Sequence, residues 1–139
     1  MSDKTEGIAR SRSPWGPFND VKPIVGADKT GIDPAVFMDD DGTTYLFWGQ
    51  CSLMGAKLNA DLESIDPSTL TKGIIINKVH VFHEGASICK RNGIYYRSYT
   101  DESRHKRASC IGSATSRSPL GPYTKGGIVI DNFGCDPAT

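Results

Sequence analysis

Two stretches of the chain share one arrangement of apolar and polar positions. Ile32-Asp33-Pro34-Ala35-Val36-Phe37-Met38 leads through the turn Asp39-Asp40-Asp41-Gly42 into Thr43-Thr44-Tyr45-Leu46-Phe47-Trp48. Ala86-Ser87-Ile88-Cys89 leads through Lys90-Arg91-Asn92-Gly93 into Ile94-Tyr95-Tyr96-Arg97-Ser98-Tyr99. Asp-Gly and Asn-Gly pairs between apolar runs are hairpin signals, because both residues tolerate the positive φ that a tight turn requires. The flanking runs are rich in β-branched and aromatic side chains, which suit a pleated, half-buried surface. Fifteen glycines and eight prolines punctuate the 139 residues. No stretch of useful length carries a helical period, so the pattern predicts an all-β chain.

The same chain repeats itself. Residues 11–18 read SRSPWGPF and residues 116–123 read SRSPLGPY, with six of eight positions identical and an offset of 105 residues. Asp33 opens the first hairpin and Glu84 opens the second, 51 residues later. A period near 50 with about four strands per unit predicts propeller blades. The register gives one partial β-propeller domain over 1–139, with a blade remnant at 7–25, blades at 31–79 and 83–131, and the start of another at 132–139. Up-and-down topology then places Asp33 and Glu84 at the inner-strand starts of one face. The loops Gln50 to Ser52 and Thr100 to Arg107 fall on that face, whereas the two octets form turns at the opposite outer rim. Taken singly, an Asp before Pro stabilises a turn and a lone Glu is a solvated acid. Matched positions in successive units make the pair a candidate for acid/base chemistry.

Charge narrows the classes of partner. Sixteen basic and sixteen acidic residues cancel, and neither nucleic acid nor an anionic membrane is the expected partner of such a chain. The cluster Arg104-His105-Lys106-Arg107 reads as a solvated loop. No apolar run approaches the roughly 20 residues of a membrane-spanning helix. Cys51, Cys89, Cys110 and Cys135 are scattered without a C-x-x-C pair, and Asp39 to Asp41 lack the glutamate that closes a calcium loop. No metal and no cofactor are therefore expected. The polar start MSDKTEG is not a secretory signal, so reduced thiols and a cytoplasmic location are expected, with secretion if a leader has been removed.

The segments GIDPAVFMDDDGTTYLFWG, HEGASICKRNGIYYRSYT and IGSATSRSPLGPYTKGGIVIDNFGCDPAT resemble successive blades of glycoside hydrolase family 43. That resemblance implies a five-bladed propeller of the α-L-arabinofuranosidase, β-xylosidase or arabinanase type, acting with inversion on arabinose- and xylose-containing saccharides. It implies that Glu84 is the general acid and Asp33 the residue that orients it and adjusts its pKa. Ala86 departs from the pattern, which usually has Pro there. An inverting enzyme needs a second carboxylate to activate water. The family's base Asp lies upstream of the segment resembling residues 7–25, so it is expected to be absent from this chain, along with the later Asn-His and Arg segments. His83, Gln50, Arg104 and His105 are candidate sugar contacts. Two and a half blades cannot close a ring, so self-association is expected, a dimer in particular. A catalytically incomplete carbohydrate-binding protein or a self-assembling propeller fragment is the alternative.

Overall fold

The computed structural model describes residues 6–27, 32–104 and 110–131. They form three antiparallel sheets in chain order. The first pairs β1 (Gly7–Arg10) with β2 (Asn19–Pro23). The second has the order β3 (Ala35–Met38), β4 (Thr44–Trp48), β5 (Met54–Lys57). The third is a four-stranded meander of β6 (Ser87–Arg91), β7 (Ile94–Asp101), β8 (Cys110–Ser116) and β9 (Thr124–Asp131). Both predicted hairpins are present, joined at Asp39 to Thr43 and at Asn92-Gly93.

Strand β4 explains how the sheets stack. Its alternate side chains are apolar on both faces. Tyr45 and Phe47 enter a core with Leu53, Ile74, Ile75, Phe82, Tyr95, Tyr99 and Tyr123, whereas Leu46 and Trp48 enter one with Ile24, Met54, Ala56 and Ile65. A strand covered on both sides reads as a continuous apolar run, as Tyr45-Leu46-Phe47-Trp48 does. Burying each of Phe47 and Trp48, both fully enclosed, contributes on the order of 2–3 kcal/mol. Gly55 on β5 makes room for this packing, because a Cβ there would run into the Phe47 ring.

The second sheet departs from the four-strand plan. Where a fourth strand is expected, the chain makes only isolated bridges, among them Leu58 to Ile65, Gly55 to Thr71 and Ser52 to Ile76. The interruption has a local cause. Asp61 and Asp66 turn their carboxylates onto nearby backbone and hydroxyl donors, and Pro67 opens a 3₁₀ turn at Pro67–Thr69. Such side chains offer the backbone an alternative to ladder pairing. The segment ends in a single helical turn, α1 (Asn77–His80).

His80 is a packing residue. It is buried, its Nδ1 accepts from the Ile76 N–H at 3.1 Å, and its Nε2 lies 3.1 Å from the Tyr123 carbonyl. The second octet thereby docks on the preceding sheet, with Leu120 packed against the core beside Tyr123. In the first octet the equivalent Trp15 and Phe18 are 93% and 59% exposed. Each octet makes the same turn, with Gly16 donating to the Ser13 carbonyl and Gly121 to the Ser118 carbonyl.

Candidate active site

Asp33 and Glu84 come together through the backbone. Asp33 immediately precedes Pro34 and β3 and sits at φ 55°, a conformation Asp tolerates better than most residues. Its Oδ2 accepts a hydrogen bond from the Gly85 N–H at 3.1 Å. Glu84 lies in the segment entering β6. That segment is stitched to β7 by two bonds, His83 N–H to the Thr100 carbonyl at 2.8 Å and Thr100 N–H to the Glu84 carbonyl at 3.0 Å. Ala86 follows as a buried core residue, so it anchors the end of the Glu84 loop by packing.

A second loop supplies Gln50. Gly49 ends β4 at φ 121°, and a Cβ there would press on the Ser52 carbonyl; only glycine fits that bend. Cys51 then donates its N–H to the His83 carbonyl at 2.6 Å, and its carbonyl accepts from the Asn77 N–H at 2.8 Å. This places the Gln50 amide against Glu84, with Nε2 donating to Oε2 at 2.7 Å. The Glu84 side chain stays 30% exposed, so it is both held and reachable from solvent.

His83 stands beside Glu84, its Nε2 3.7 Å from Oε2. Its Nδ1 approaches Oε1 of Glu102 to 2.6 Å, a close contact that is bent rather than a linear hydrogen bond. The other Glu102 oxygen accepts from Asn77 Nδ2 at 2.7 Å. Burial pushes the Cys51 thiol pKa up, and the charges of Glu102 and Glu84 push it further. Burial likewise raises the Glu6 carboxyl, with the charge of Asp33 adding to the effect. Glu6, at the start of β1, therefore shares the electrostatic surroundings of Asp33.

The structure thus gathers Asp33, Glu84, Gln50 and His83. Arg104 turns to Asp131 at the end of β9, its Nη2 2.8 Å from Oδ2. His105 lies outside the described residues. Glu102, Asn77, Cys51 and Glu6 were not singled out by sequence. Glu102 had a signal, since it falls in the Thr100 to Arg107 loop assigned to this face. Asn77 had none, because it lies in the irregular segment. Among the described residues no cluster of His, Cys, Asp or Glu has the arrangement of a metal site. Chemically, the assembly offers one reachable carboxyl, Glu84, flanked by an amide donor and an imidazole, with a second carboxylate fixing the adjacent backbone.

Comparison with known proteins gives the lineage. The model of "Glycosyl hydrolases family 43" matches residues 1–134. The chain is 33% identical to an arabinoxylan arabinofuranohydrolase of Bacillus subtilis, over 92% of this chain and 30% of that protein. It is 30% identical to xylosidase/arabinosidase 43A of Humicola insolens, over 90% of this chain and 50% of that protein. Among solved structures, an endo-1,4-beta-xylanase of Bacteroides thetaiotaomicron superposes with a TM-score of 0.72 at 32% identity, covering 89% of this chain and 46% of that one. An alpha-L-arabinofuranosidase of Clostridium thermocellum superposes with a TM-score of 0.75 at 27% identity, covering 92% and 45%. These neighbours are five-bladed propellers, and the present chain is a partial one. It spans between about a third and a half of the length of these relatives. Sequence, sheet order and superposition agree that the chain belongs to glycosyl hydrolase family 43.

Proposed function

We propose that the Asp33–Glu84 face takes part in hydrolysis of O-glycosidic bonds in arabinose- and xylose-containing saccharides, with Glu84 protonating the departing oxygen. The observation that carries this reading is the placement of Glu84: reachable from solvent, bonded to Gln50, and flanked by a loop pinned to Asp33. Cleavage through an oxocarbenium-like transition state needs a positioned proton donor, and in inverting enzymes a second carboxylate about 6.5–9.5 Å away to activate water. Asp33 serves as the group that fixes the donor's loop and its electrostatic surroundings. Gln50 and His83 line the sugar-facing wall. The substrate class is supported by relatives named for activity on arabinoxylan, arabinosides and xylosides.

Hydrolysis of aryl α-L-arabinofuranosides and β-D-xylosides by the chain and by Glu84→Gln tests the reading. Loss of a proton donor lowers the rate by roughly 10²–10⁴-fold. Binding of such saccharides without turnover would instead assign the chain a carbohydrate-binding role.

Self-association accompanies this reading. Trp15 and Phe18 are open to solvent where their counterparts in the second octet pack against a neighbouring sheet. Strand β9 also presents Ile128, Val129 and Ile130 on its exposed edge. Two copies joined through such surfaces would cover them. Light scattering checks this: a dimer mass is expected, and a monomer at high concentration contradicts it.

A further inference from the structure

His83 stands between two carboxylates, and the second of them decides how its ring is presented. No hydrogen bond of good geometry joins them, but a carboxylate only accepts, and a lone pair on the imidazole nitrogen 2.6 Å from Glu102 Oε1 would face its negative charge, so this contact favours the proton on that nitrogen in the neutral ring. Glu102 is itself held from the far side. Asn77 Nδ2 donates to Glu102 Oε2 at 2.7 Å and to the Phe82 carbonyl at 3.1 Å. Turning the Asn77 amide over would lose both bonds at once. The Glu102 backbone is fixed as well, its N–H donating to the Val81 carbonyl at 3.0 Å.

We propose that Glu102, braced by Asn77, is a positioning residue that keeps neutral His83 in its Nδ1–H form, so that the ring turns an Nε2 lone pair rather than an N–H toward Glu84. The inference rests on Glu84 being the proton donor for its functional meaning. Gln50 already donates to Glu84 Oε2. A second donor from His83 would add to the interactions that favour a carboxylate there. A lone pair in that place suits a carboxyl that must hold its proton until the glycosidic oxygen takes it. The other titratable groups around Glu84 are Asp33, which bonds the adjacent Gly85, and Cys51, whose loop bonds the His83 carbonyl.

Long-range ¹H–¹⁵N correlation on the full chain, labelled at histidine, reads the tautomer of each ring. The measurement is made at a pH where the resonances show the rings to be neutral. His80 is an internal reference, since Ile76 donates to its Nδ1 and the proton must therefore sit on Nε2. His83 is expected to show the opposite form. In Glu102→Gln the new amide must keep its oxygen toward Asn77, which leaves its NH₂ facing His83. Nδ1 then becomes an acceptor and the tautomer inverts to Nε2–H. Adding Asn77→Ala frees the glutamine amide to turn, and Nδ1–H returns. An Nε2–H ring in the unsubstituted chain overturns the proposal whatever becomes of the variants, as does a tautomer unmoved by Glu102→Gln. The tautomer is read without substrate. A correct tautomer beside a Glu84 that proves dispensable for hydrolysis would refute the catalytic reading and leave the positioning intact.

Discussion

The Gly85 N–H donates to Oδ2 of Asp33 across the gap between the second and third sheets, and so ties the residue after Glu84 to the start of β3. Two carboxyl-bearing residues 51 positions apart in sequence are thereby linked through the amide of Gly85. In the proposed reading, Asp33 acts on Glu84 by holding the main chain.

Asp33→Ala should release that bond and leave the sheets in place. Hydrogen bonds to charged acceptors contribute about 1.5–3 kcal/mol when well shielded, and less at an exposed site. Amide exchange at Gly85 is expected to speed up by roughly tenfold, with exchange in β7 unchanged. Equal acceleration across β7 would mean that Asp33 supports the fold as a whole.

Arg97 is a core residue that the sequence pattern conceals. It is 1% exposed, its guanidinium lies 3.8 Å from the Phe47 ring centroid and 5.1 Å from that of Tyr123, and Nη2 donates to the Pro119 carbonyl at 3.4 Å. Nε and Nη1 have no hydrogen-bond partner among the described residues. Burial lowers its pKa, with Tyr123 opposing the shift. Removing an incompletely paired buried charge while keeping the stem is often neutral or stabilising. Urea denaturation should therefore find Arg97→Met within about 1 kcal/mol of the parent or above it. Arg97→Ala, which leaves a void between the sheets, should cost about 3 kcal/mol. If Met proves as damaging as Ala, the charge itself supports the interface.

A clamp at the far end of the same interface responds to pH. Asp39, in the β3–β4 turn, accepts from Lys90 Nζ and from the Tyr95 hydroxyl, each at 2.5 Å. Burial works against its charge, but hydrogen bonds from Lys90, Tyr95 and the Asp40 N–H together outweigh burial and hold its pKa below the usual carboxylate range. A carboxyl depressed by folding contributes stability above its unfolded pKa, about 3.9, and that contribution is lost as pH falls through the folded value. Asp39→Asn should accordingly lower the thermal midpoint at pH 7, and the gap to the parent should close as pH drops below about 4. Tyr95→Phe should cost about 1 kcal/mol. A gap that persists at low pH would show that the asparagine disturbs the turn by shape.

Legibility in the sequence followed the local character of each signal. The hairpin turns at Asp41-Gly42 and Asn92-Gly93 encode their own geometry in neighbouring residues. Runs rich in β-branched and aromatic residues after those turns then marked β4 and β7, and the octets supplied a ruler long enough to put Asp33 and Glu84 on one face. Arg97 was hidden because a charged residue in a strand reads as facing water; its burial follows from Phe47 and Tyr123, which come from elsewhere in the chain. Residues 58–76 were hidden for the opposite reason. There Asp61, Asp66 and Pro67 favour local turns over a ladder, so no period exists to be read. Asn77 and Glu102, 25 residues apart in sequence, meet only in the folded tertiary structure.

The central claim is that Glu84 gives a proton to the leaving oxygen, and leaving-group dependence tests it most directly. A dinitrophenyl leaving group departs without protonation, whereas an alkyl or sugar alcohol does not. Rates of Glu84→Ala against both kinds of arabinoside and xyloside should therefore diverge. Turnover of the dinitrophenyl substrate should persist near the parent rate, and that of the unactivated one should fall by roughly 10²–10⁴-fold. Equal losses on both substrates, or no loss on either, would contradict the assignment of Glu84 as the proton donor.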